Sequence, residues 1–305
     1  MNWQLQLGSA AEKLQTAGIP SPRREARLLL AHALRVSPDA IVAGNLPLIS
    51  AAALARFETA VARRAAREPL AYILGSREFW SLDFATAPGI LVPRPESETL
   101  VEEALRRFPA SQGPLRVLDL GTGAGCLLLA FLSERRSASG LGVDNSDFAL
   151  AIARRNADSL GLADRTKFTR SDWAEGVSGA FDAIFINPPY VATSDLAHLE
   201  PEVAQYEPRM ALDGGHDGLS AYRRIVPSLP ACLAPGGMAF LEVGQGQAKA
   251  VEDLLGEAKL SMDGTVCDLA GIPRCVVARL GRQRNSSKNN WQSIREAAKF
   301  RPAGE

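Results

Sequence analysis

The sequence predicts an α/β protein in which a seven-stranded, doubly wound sheet follows a small helical domain. From about residue 115 onward, short apolar runs alternate with stretches whose apolar residues recur at helical spacing. This alternation is typical of strand–helix–strand units built around a mostly parallel sheet. Before residue 76 only the helical spacing occurs, so this part of the chain is predicted to be a separate helical unit.

The helical domain is predicted to span residues 1–76. Three stretches of apolar residues at helical spacing are separated by glycine and proline at residues 18–22 and 44–47. Ser50 precedes an alanine-rich stretch and is a candidate helix N-cap. The segment is too small to contain a catalytic core, so we expect it to be a recognition or docking module.

The larger α/β domain is predicted to span residues 96–280. Residues 77–95 switch to partial apolar–polar alternation and are predicted to form a β-hairpin that links the two domains. Residues 281–305 are polar and basic and are predicted to be a disordered tail. The predicted strands are residues 116–120, 140–143, 166–169, 181–186, 238–243, 264–268 and 274–280. The predicted helices are residues 125–134, 147–160, 218–233 and 246–258, preceded by a helix after residue 98 that carries Leu100, Val101, Ala104 and Leu105.

The charge of the chain is balanced overall but unevenly distributed. Lysine plus arginine and aspartate plus glutamate each total 34. Residues 1–76 and 281–305 each carry a net charge of +4, whereas residues 77–280 carry 19 basic and 27 acidic side chains. Binding to a nucleic-acid backbone requires clustered basic side chains. The acidic central part is therefore a poor candidate for direct nucleic-acid binding.

Cysteine, histidine and hydropathy exclude other classes of protein. The four cysteines and three histidines are scattered, without a C-x-x-C pair, so we expect no metal site. No apolar run approaches membrane-spanning length, and no basic-then-apolar leader opens the sequence. We therefore expect a cytoplasmic protein with no membrane partner, and a monomer by default.

A glycine-rich turn follows the first predicted strand of the larger domain. Glycine allows a backbone to approach a ligand closely. Cys126 occupies the third glycine position of the dinucleotide fingerprint G-x-G-x-x-G, so that fingerprint fails. The spacing D-x-G-x-G-x-G is instead typical of S-adenosylmethionine binding. The seven predicted strands with a terminal antiparallel pair indicate a doubly wound sheet of the methyltransferase type, so we predict a Rossmann-like class I SAM-dependent methyltransferase fold. The predicted cofactor residues of this turn are Asp119, Gly121, Thr122, Gly123, Ala124 and Gly125.

Acidic and aromatic residues at the next two strand ends suit the same cofactor. Asp144 ends the second strand, where its carboxylate can accept hydrogen bonds from both ribose hydroxyls. Asp172 and Trp173 follow the third strand. Asp172 or nearby backbone is predicted to accept from the adenine amino group, and Trp173 to form an apolar wall. Ligands of open α/β sheets bind at the carboxyl ends of the strands, so these residues are expected to meet.

The tetrapeptide Asn187-Pro188-Pro189-Tyr190 closes the apolar run of residues 181–186. The Asn187 side-chain oxygen and the Pro188 backbone oxygen are two acceptors beside an aromatic ring. The two prolines have fixed φ and no N–H, so the loop is stiff and rich in acceptors. Such a site suits a flat –NH2 group held by both hydrogens, and it predicts methylation of an amide or an exocyclic amine.

With these motifs in order, the chain resembles the HemK/PrmC family, the glutamine-N5 methyltransferases of class I peptide chain release factors. The resemblance covers roughly residues 3–280. The tetrapeptide alone also occurs in adenine and guanine amino methyltransferases, but its combination with Pro93-Arg94-Pro95-Glu96 is far more specific. The matching segments are residues 72–75, 77–80, 92–98, 121–125, 171–173, 187–190, 206–208, 211–212, 214–219 and 242–247.

The resemblance implies a reaction and a set of site residues. The catalytic domain is expected to methylate the glutamine of the Gly-Gly-Gln motif of release factors, while the helical domain helps to grip that partner. The glycine turn, Asp144, Trp173 and Asn187 are expected to contact the cofactor. The catalytic residues are expected to be Asn187, Pro188 and Tyr190, with Pro189 completing the pocket for the substrate glutamine. No general base is predicted.

Two positions depart from the family pattern. Asn145 stands where an aliphatic residue is expected, and Val191 replaces the usual isoleucine. Neither is among the residues predicted to carry the chemistry. The tail after residue 280 lies outside the family pattern, so the resemblance predicts no role for it.

Two other functions fit parts of the pattern. A DNA or rRNA amino methyltransferase acting on adenine N6 or guanine N2 uses the same tetrapeptide, but it needs a basic face or a domain that stacks on a flipped base. The acidic central part and the small helical domain disfavour it. A catalytically inactive scaffold that binds S-adenosylmethionine is the other alternative, and the intact tetrapeptide disfavours it.

Overall fold

The structure is a computed structural model that describes residues 3–44, 46 and 50–280. The predicted tail at residues 281–305 lies outside these residues. Within them, no helix is both long enough and apolar enough to cross a membrane.

The α-helices are α1 (Trp3–Thr16), α2 (Pro22–Leu34), α3 (Pro38–Val42), α4 (Ala51–Ala65), α5 (Leu70–Leu74), α6 (Glu98–Arg107), α7 (Cys126–Glu134), α8 (Asp147–Ser159), α9 (Pro201–Tyr206), α10 (Ser220–Ile225), α11 (Leu229–Cys232) and α12 (Ala248–Glu257). The strands are β1 (Ser76–Phe79), β2 (Leu82–Ala85), β3 (Arg116–Leu120), β4 (Ser139–Asp144), β5 (Thr166–Arg170), β6 (Phe181–Ile186), β7 (Leu233–Glu242), β8 (Leu260–Cys267) and β9 (Pro273–Leu280).

Helices α1 to α5 form the amino-terminal part of the molecule. Leu14, Leu29 and Phe57 are fully buried where α1, α2 and α4 pack together. The Ser50 side chain accepts a hydrogen bond from the Ala53 backbone N–H at 3.2 Å, which caps α4 as predicted. This helical unit therefore has its own small apolar core.

Strands β1 and β2 form an antiparallel hairpin after the helices. Its two turn residues, Trp80 and Ser81, both have positive φ, at 55° and 57°. The Trp80 backbone N–H donates to the Glu98 carboxylate at 2.8 Å, and Phe79 and Phe84 pack edge to face. The hairpin is thereby attached to the first turn of α6.

The remaining seven strands form one sheet in the order β5-β4-β3-β6-β7-β9-β8. Strands β3 to β7 run parallel, whereas β9 pairs antiparallel with both β7 and β8. The predicted seven-stranded, doubly wound sheet with a terminal antiparallel pair is confirmed. The strand order reverses direction between β3 and β6, which is where α/β sheets bind their ligands.

Side chains of β6 show why helices cover both faces of the sheet. Ala183 and Phe185 point into one apolar layer, which also contains side chains of α6 and α7. Ile184 and Ile186 point into the other layer, with side chains of α10 and α12. All four are 0% exposed, so the strand is apolar on both faces rather than alternating with polar residues.

The helices of the larger domain differ from the prediction in two places. The single helix predicted at residues 218–233 is broken into α10, a 3-10 turn at Val226–Ser228, and α11. Pro227 and Pro230 lack the N–H that a continuous helix requires, which explains the interruption. Helix α9 and the 3-10 segment Thr193–His198 were not predicted, because residues 192–211 show no regular apolar period.

Helix α9 connects the loop after β6 to the helical part of the chain. Buried Arg64 donates to Glu25 at 2.5 Å and to Glu202 at 2.9 Å, and Arg67 donates to Glu202 at 2.6 Å. The Tyr206 hydroxyl donates to the Ala66 carbonyl at 2.7 Å. Side chains of α9 thus join the segment after the tetrapeptide to the end of α4.

Candidate active site

A cavity of about 580 Å³ opens at the carboxyl ends of β3, β4, β5 and β6. Its volume is in the range of small-molecule sites in proteins. Of the predicted site residues, Gly125, Pro188 and Tyr190 are not among its lining residues. The predicted residues that do line it are Asp119, Gly121, Thr122, Gly123, Ala124, Asp144, Asp172, Trp173, Asn187 and Pro189.

The glycine turn after β3 is held by the backbone of β4. The backbone N–H groups of Gly121 and Thr122 both donate to the Val143 carbonyl at 2.9 Å. Gly121 has a φ of 75°, and a Cβ there would lie 3.0 Å from the Trp173 ring. Glycine at this position therefore permits both the turn and the close approach of the aromatic wall.

Asp119, at the end of β3, stabilises the glycine turn through a side-chain hydrogen bond. Its side chain is 1% exposed and accepts a hydrogen bond from the Thr122 hydroxyl at 2.7 Å. Burial raises the pKa of the Asp119 carboxyl to about 7, against the lowering effect of the Thr122 hydrogen bond. The geometry gives Asp119 a part in shaping the turn.

Asp144 connects the end of β4 to the glycine turn. One carboxylate oxygen accepts from the Gly123 N–H at 2.9 Å, and the other accepts from the Ser146 N–H at 2.9 Å. Each carboxylate oxygen can accept more than one hydrogen bond, so Asp144 retains acceptor capacity toward the cavity. The half-buried carboxylate is thus oriented at the position predicted for a ribose acceptor.

Asp172 and Trp173 form the wall after β5. Asp172 is paired with Arg224 at 2.5 Å, and both side chains are about half exposed. Trp173 has a φ of 54°, an uncommon conformation for a bulky residue. Its backbone carbonyl accepts from the Ser171 hydroxyl at 2.9 Å. The local backbone is therefore constrained so that the indole packs against the glycine turn.

Asn145, the departure from the family pattern, lies at the mouth of the cavity. Its side-chain N–H group donates to the Met210 sulfur at 3.6 Å, and both residues line the cavity. Met210 is 64% exposed and belongs to the segment that follows the tetrapeptide. The contact joins the cofactor side of the cavity to that segment.

The tetrapeptide follows β6 on the opposite wall of the cavity. The Tyr190 carbonyl accepts from the Gln247 side chain at 2.9 Å. Gly218 lies so close to the same carbonyl that a Cβ there would collide with it. The loop is also paired at Val191, which donates to the Leu212 carbonyl at 3.0 Å. Neighbouring loops therefore hold the tetrapeptide rigidly.

A chain of side-chain hydrogen bonds lies behind the tetrapeptide. The Asn187 amide nitrogen donates to the Ser97 hydroxyl at 3.2 Å, and Ser97 donates to a Glu242 carboxylate oxygen at 2.5 Å. The Tyr190 hydroxyl donates to the other Glu242 oxygen at 3.1 Å. Burial raises the pKa of Glu242, which the hydrogen bonds from Ser97 and Tyr190 partly oppose.

Sequence reasoning assigned no role to four residues around this cavity. Arg94 lines it and donates to buried Glu207 at 2.6 Å, while Arg224 lines it beside Asp172. Ser97 and Glu242 form the hydrogen-bond chain just described. The position of Glu242 at the end of an apolar strand could have indicated a place in the site, because the carboxyl ends of the parallel strands β6 and β7 lie at the same edge of the sheet. The contacts of Ser97 and the two arginines depend on tertiary structure.

Comparison with known proteins identifies relatives along nearly the whole described chain. Residues 7–75 match the family model "PrmC N-terminal domain", and residues 97–205 match "Methyltransferase small domain". A release factor glutamine methyltransferase of Rhodospirillum rubrum is 46% identical over 90% of this chain and 83% of its own length. The proteins of the same name from Bradyrhizobium diazoefficiens and Geobacter sulfurreducens are 44% and 43% identical, over 88% and 90% of this chain and 92% and 94% of their own lengths.

A solved structure supports the fold. The hMettl16 catalytic domain, determined in complex with the MAT2A 3′UTR hairpin 6, superposes with a TM-score of 0.55 at 17% identity. The match covers 73% of this chain and 83% of that one. At this identity the likeness concerns the methyltransferase fold alone.

Proposed function

The chain belongs to the release factor glutamine methyltransferase family, and we propose that it methylates the side-chain amide nitrogen of the Gly-Gly-Gln glutamine in class I release factors, with S-adenosylmethionine as methyl donor. The observation that supports this most is the orientation of Asn187. Its amide nitrogen donates to Ser97, so its amide oxygen is the acceptor that remains for a substrate N–H.

The donors and acceptors around the glycine turn fit S-adenosylmethionine. The Asp144 carboxylate suits ribose hydroxyls, and the Trp173 ring offers an apolar wall for adenine. Gly121 and Gly123 bring backbone to the cavity surface, while Asp119 and its partner Thr122 support the turn. When bound, S-adenosylmethionine supplies a sulfonium-activated methyl group. Asp172 is the proposed adenine acceptor, and its pairing with Arg224 holds it at the rim.

The tetrapeptide is proposed to hold the substrate amide. The Asn187 side-chain oxygen and the Pro188 backbone oxygen would accept hydrogen bonds from the two N–H groups of the substrate amide. Pro189 would line the pocket, and Tyr190 would pack against the amide plane. An amide nitrogen is a poor nucleophile because its lone pair is delocalised into the carbonyl. Fixing both N–H bonds orients the nitrogen, and such positioning lowers barriers by up to about 7–11 kcal/mol relative to free encounter.

The same two acceptors stabilise the charge that develops on nitrogen. Oxygen dipoles that are already aimed at the developing positive charge need no reorganisation during the reaction. The Tyr190 ring face adds an electrostatic attraction for a nearby cation. We assign no side chain as general base, and we propose that the nitrogen loses its extra proton to water.

We also propose that residues 1–76 help to bind the release factor, with residues 77–95 as linker and residues 96–280 as the methyltransferase domain. The contacts of α9 with Arg64 and Arg67 support a connection between the helical part and the segment after the tetrapeptide. A protein acting on release factors is expected in the cytoplasm, and we expect it to act as a monomer.

The proposal is tested by mass spectrometry of a purified class I release factor after incubation with the protein and S-adenosylmethionine. We expect one methyl group on the Gly-Gly-Gln glutamine, and none on a release factor whose glutamine is replaced by alanine. Methyl label in RNA or DNA controls, without label in the release factor, would contradict the proposed substrate.

A further inference from the structure

Three segments that are far apart in sequence meet behind the tetrapeptide. Ser97 ends the 3-10 turn Pro95–Ser97 before α6, Asn187 follows β6, and Glu242 ends β7. Ser97 is 4% exposed and Glu242 is 1% exposed. The Ser97 hydroxyl lies between the other two, at 3.2 Å from the Asn187 nitrogen and 2.5 Å from a Glu242 oxygen.

The chemistry of these groups fixes the direction of the hydrogen bonds. The Ser97 hydroxyl has a single proton, and it donates this proton to the Glu242 carboxyl oxygen at 2.5 Å. The Ser97 oxygen can then only accept from Asn187. The amide of Asn187 must therefore present its –NH2 to Ser97 and its oxygen to the opposite side. A serine beside an apolar residue, without Glu242, would accept either orientation of the amide.

The Glu242 carboxylate is buried, and its burial costs free energy of folding unless other groups compensate. Burying a carboxylate disfavours folding unless hydrogen bonds and opposite charges compensate. Its two oxygens accept from Ser97 and Tyr190, and its backbone carbonyl accepts from the Tyr222 hydroxyl at 2.6 Å. Arg274 is the nearby cation and Glu96 the nearby acid that act on it electrostatically.

We propose that Ser97 and Glu242 are positioning residues, which lock the Asn187 amide with its oxygen toward the substrate nitrogen. The same carboxylate holds the Tyr190 hydroxyl, so one buried group orients two sides of the amide pocket. In the flipped orientation, the Asn187 –NH2 would face the substrate –NH2, donor against donor. The inference rests on the proposed function, because it concerns the pocket for the substrate amide.

The test is a double-mutant cycle on Ser97 and Asn187, measured as kcat for methylation of a release factor. Ser97→Ala removes the group that selects the amide orientation, and we expect kcat to fall about tenfold, the effect of losing one buried hydrogen-bond partner. The dissociation constant for S-adenosylmethionine should stay unchanged. Ser97→Thr keeps the hydroxyl and should retain most of kcat.

The decisive comparison is Ser97→Ala in the Asn187→Ala background. If Ser97 acts through Asn187, removing Ser97 after Asn187 should cost nothing more, so the two losses are not additive. A wild-type kcat for Ser97→Ala, or fully additive losses, would overturn the proposal. A general structural role for Ser97 predicts additivity, so this readout separates the two.

Two further variants keep the test interpretable. Ser133→Ala is the matched control, because the Ser133 hydroxyl donates to the Ala130 carbonyl at 2.7 Å outside the cavity lining. Its kcat should equal that of the wild type. If Ser97→Ala fails to fold, Ser97→Cys fills the space with a weak hydrogen-bonding group and should show the same loss. Wild-type activity on the release factor tests the proposed function separately, before any variant is compared.

Discussion

The cavity has two walls that are built in different ways. The cofactor wall contains the glycine turn, Asp144 and Trp173, and the substrate wall contains the tetrapeptide at residues 187–190. On the cofactor wall, the contacts that shape the glycine turn are mainly backbone hydrogen bonds within one strand–turn–helix–strand unit. The longest of those described above joins Gly121 to Val143, 22 residues away. On the substrate wall, the orientation of Asn187 depends on Ser97, 90 residues away, and through it on Glu242, 145 residues from Ser97.

This difference separates what each wall requires of the sequence. The cofactor wall needs glycines at fixed spacing and an acid at the next strand end, which are properties of a short segment. The substrate wall needs donors and acceptors in a fixed order on three segments, and these segments meet only in the folded protein. Mutations on the cofactor wall should therefore change cofactor affinity, whereas mutations on the substrate wall should change turnover with the cofactor still bound.

Asn187→Ala removes an acceptor from the substrate wall and should cause the largest fall in kcat. The substrate amide loses a hydrogen-bond acceptor, which costs about 1–3 kcal/mol, equivalent to roughly 5–150-fold in kcat. The measurement is single-turnover methylation of a release factor at saturating S-adenosylmethionine. Calorimetry on the same variant should give a cofactor dissociation constant within about twofold of wild type. Wild-type turnover would contradict the assignment of Asn187.

Asp144→Ala should break the cofactor wall instead. It removes the acceptor for the Gly123 N–H and the proposed acceptor for the ribose, so the cofactor dissociation constant should rise about tenfold, or roughly 1.4 kcal/mol. At saturating cofactor, kcat should change much less. Asp147→Ala is the matched control, because Asp147 is exposed and pairs with Arg170. Unchanged affinity in Asp144→Ala by calorimetry would reject the role of Asp144.

The same contrast explains how much could be predicted from sequence. All seven strands of the sheet were predicted, and the clearest signals were the apolar runs of β3 and β6. Strand β7 begins at Leu233 rather than at residue 238, since Pro235 and two glycines resemble a turn while the strand continues through an irregular pairing beside β6. Periodicity reports local structure and cannot reveal such a tertiary extension.

The site shows the same division. The glycine turn, Asp144 and Trp173 were predicted because consecutive strand ends must meet at one edge of a parallel sheet. Ser97 and Glu242 appeared only as parts of a family pattern, without a role. Their contacts with Asn187 and Tyr190 depend on α6 and β7 packing beside β6, which no local spacing encodes.

Asp119→Asn should have the smallest effect on turnover and cofactor affinity, because Asp119 supports the glycine turn, and its effect should appear in stability. The folded-state pKa of Asp119 is about 7, above the value of 3.8 for a free side chain, so the folded protein binds a proton that the unfolded chain releases between about pH 4 and 7. Wild-type stability should therefore decrease as pH rises through this window. Asparagine cannot ionise, and any lost hydrogen bond adds only a constant offset. The difference in unfolding free energy, variant minus wild type, should rise with pH in urea titrations, whereas parallel curves would show that folding does not raise the pKa of Asp119.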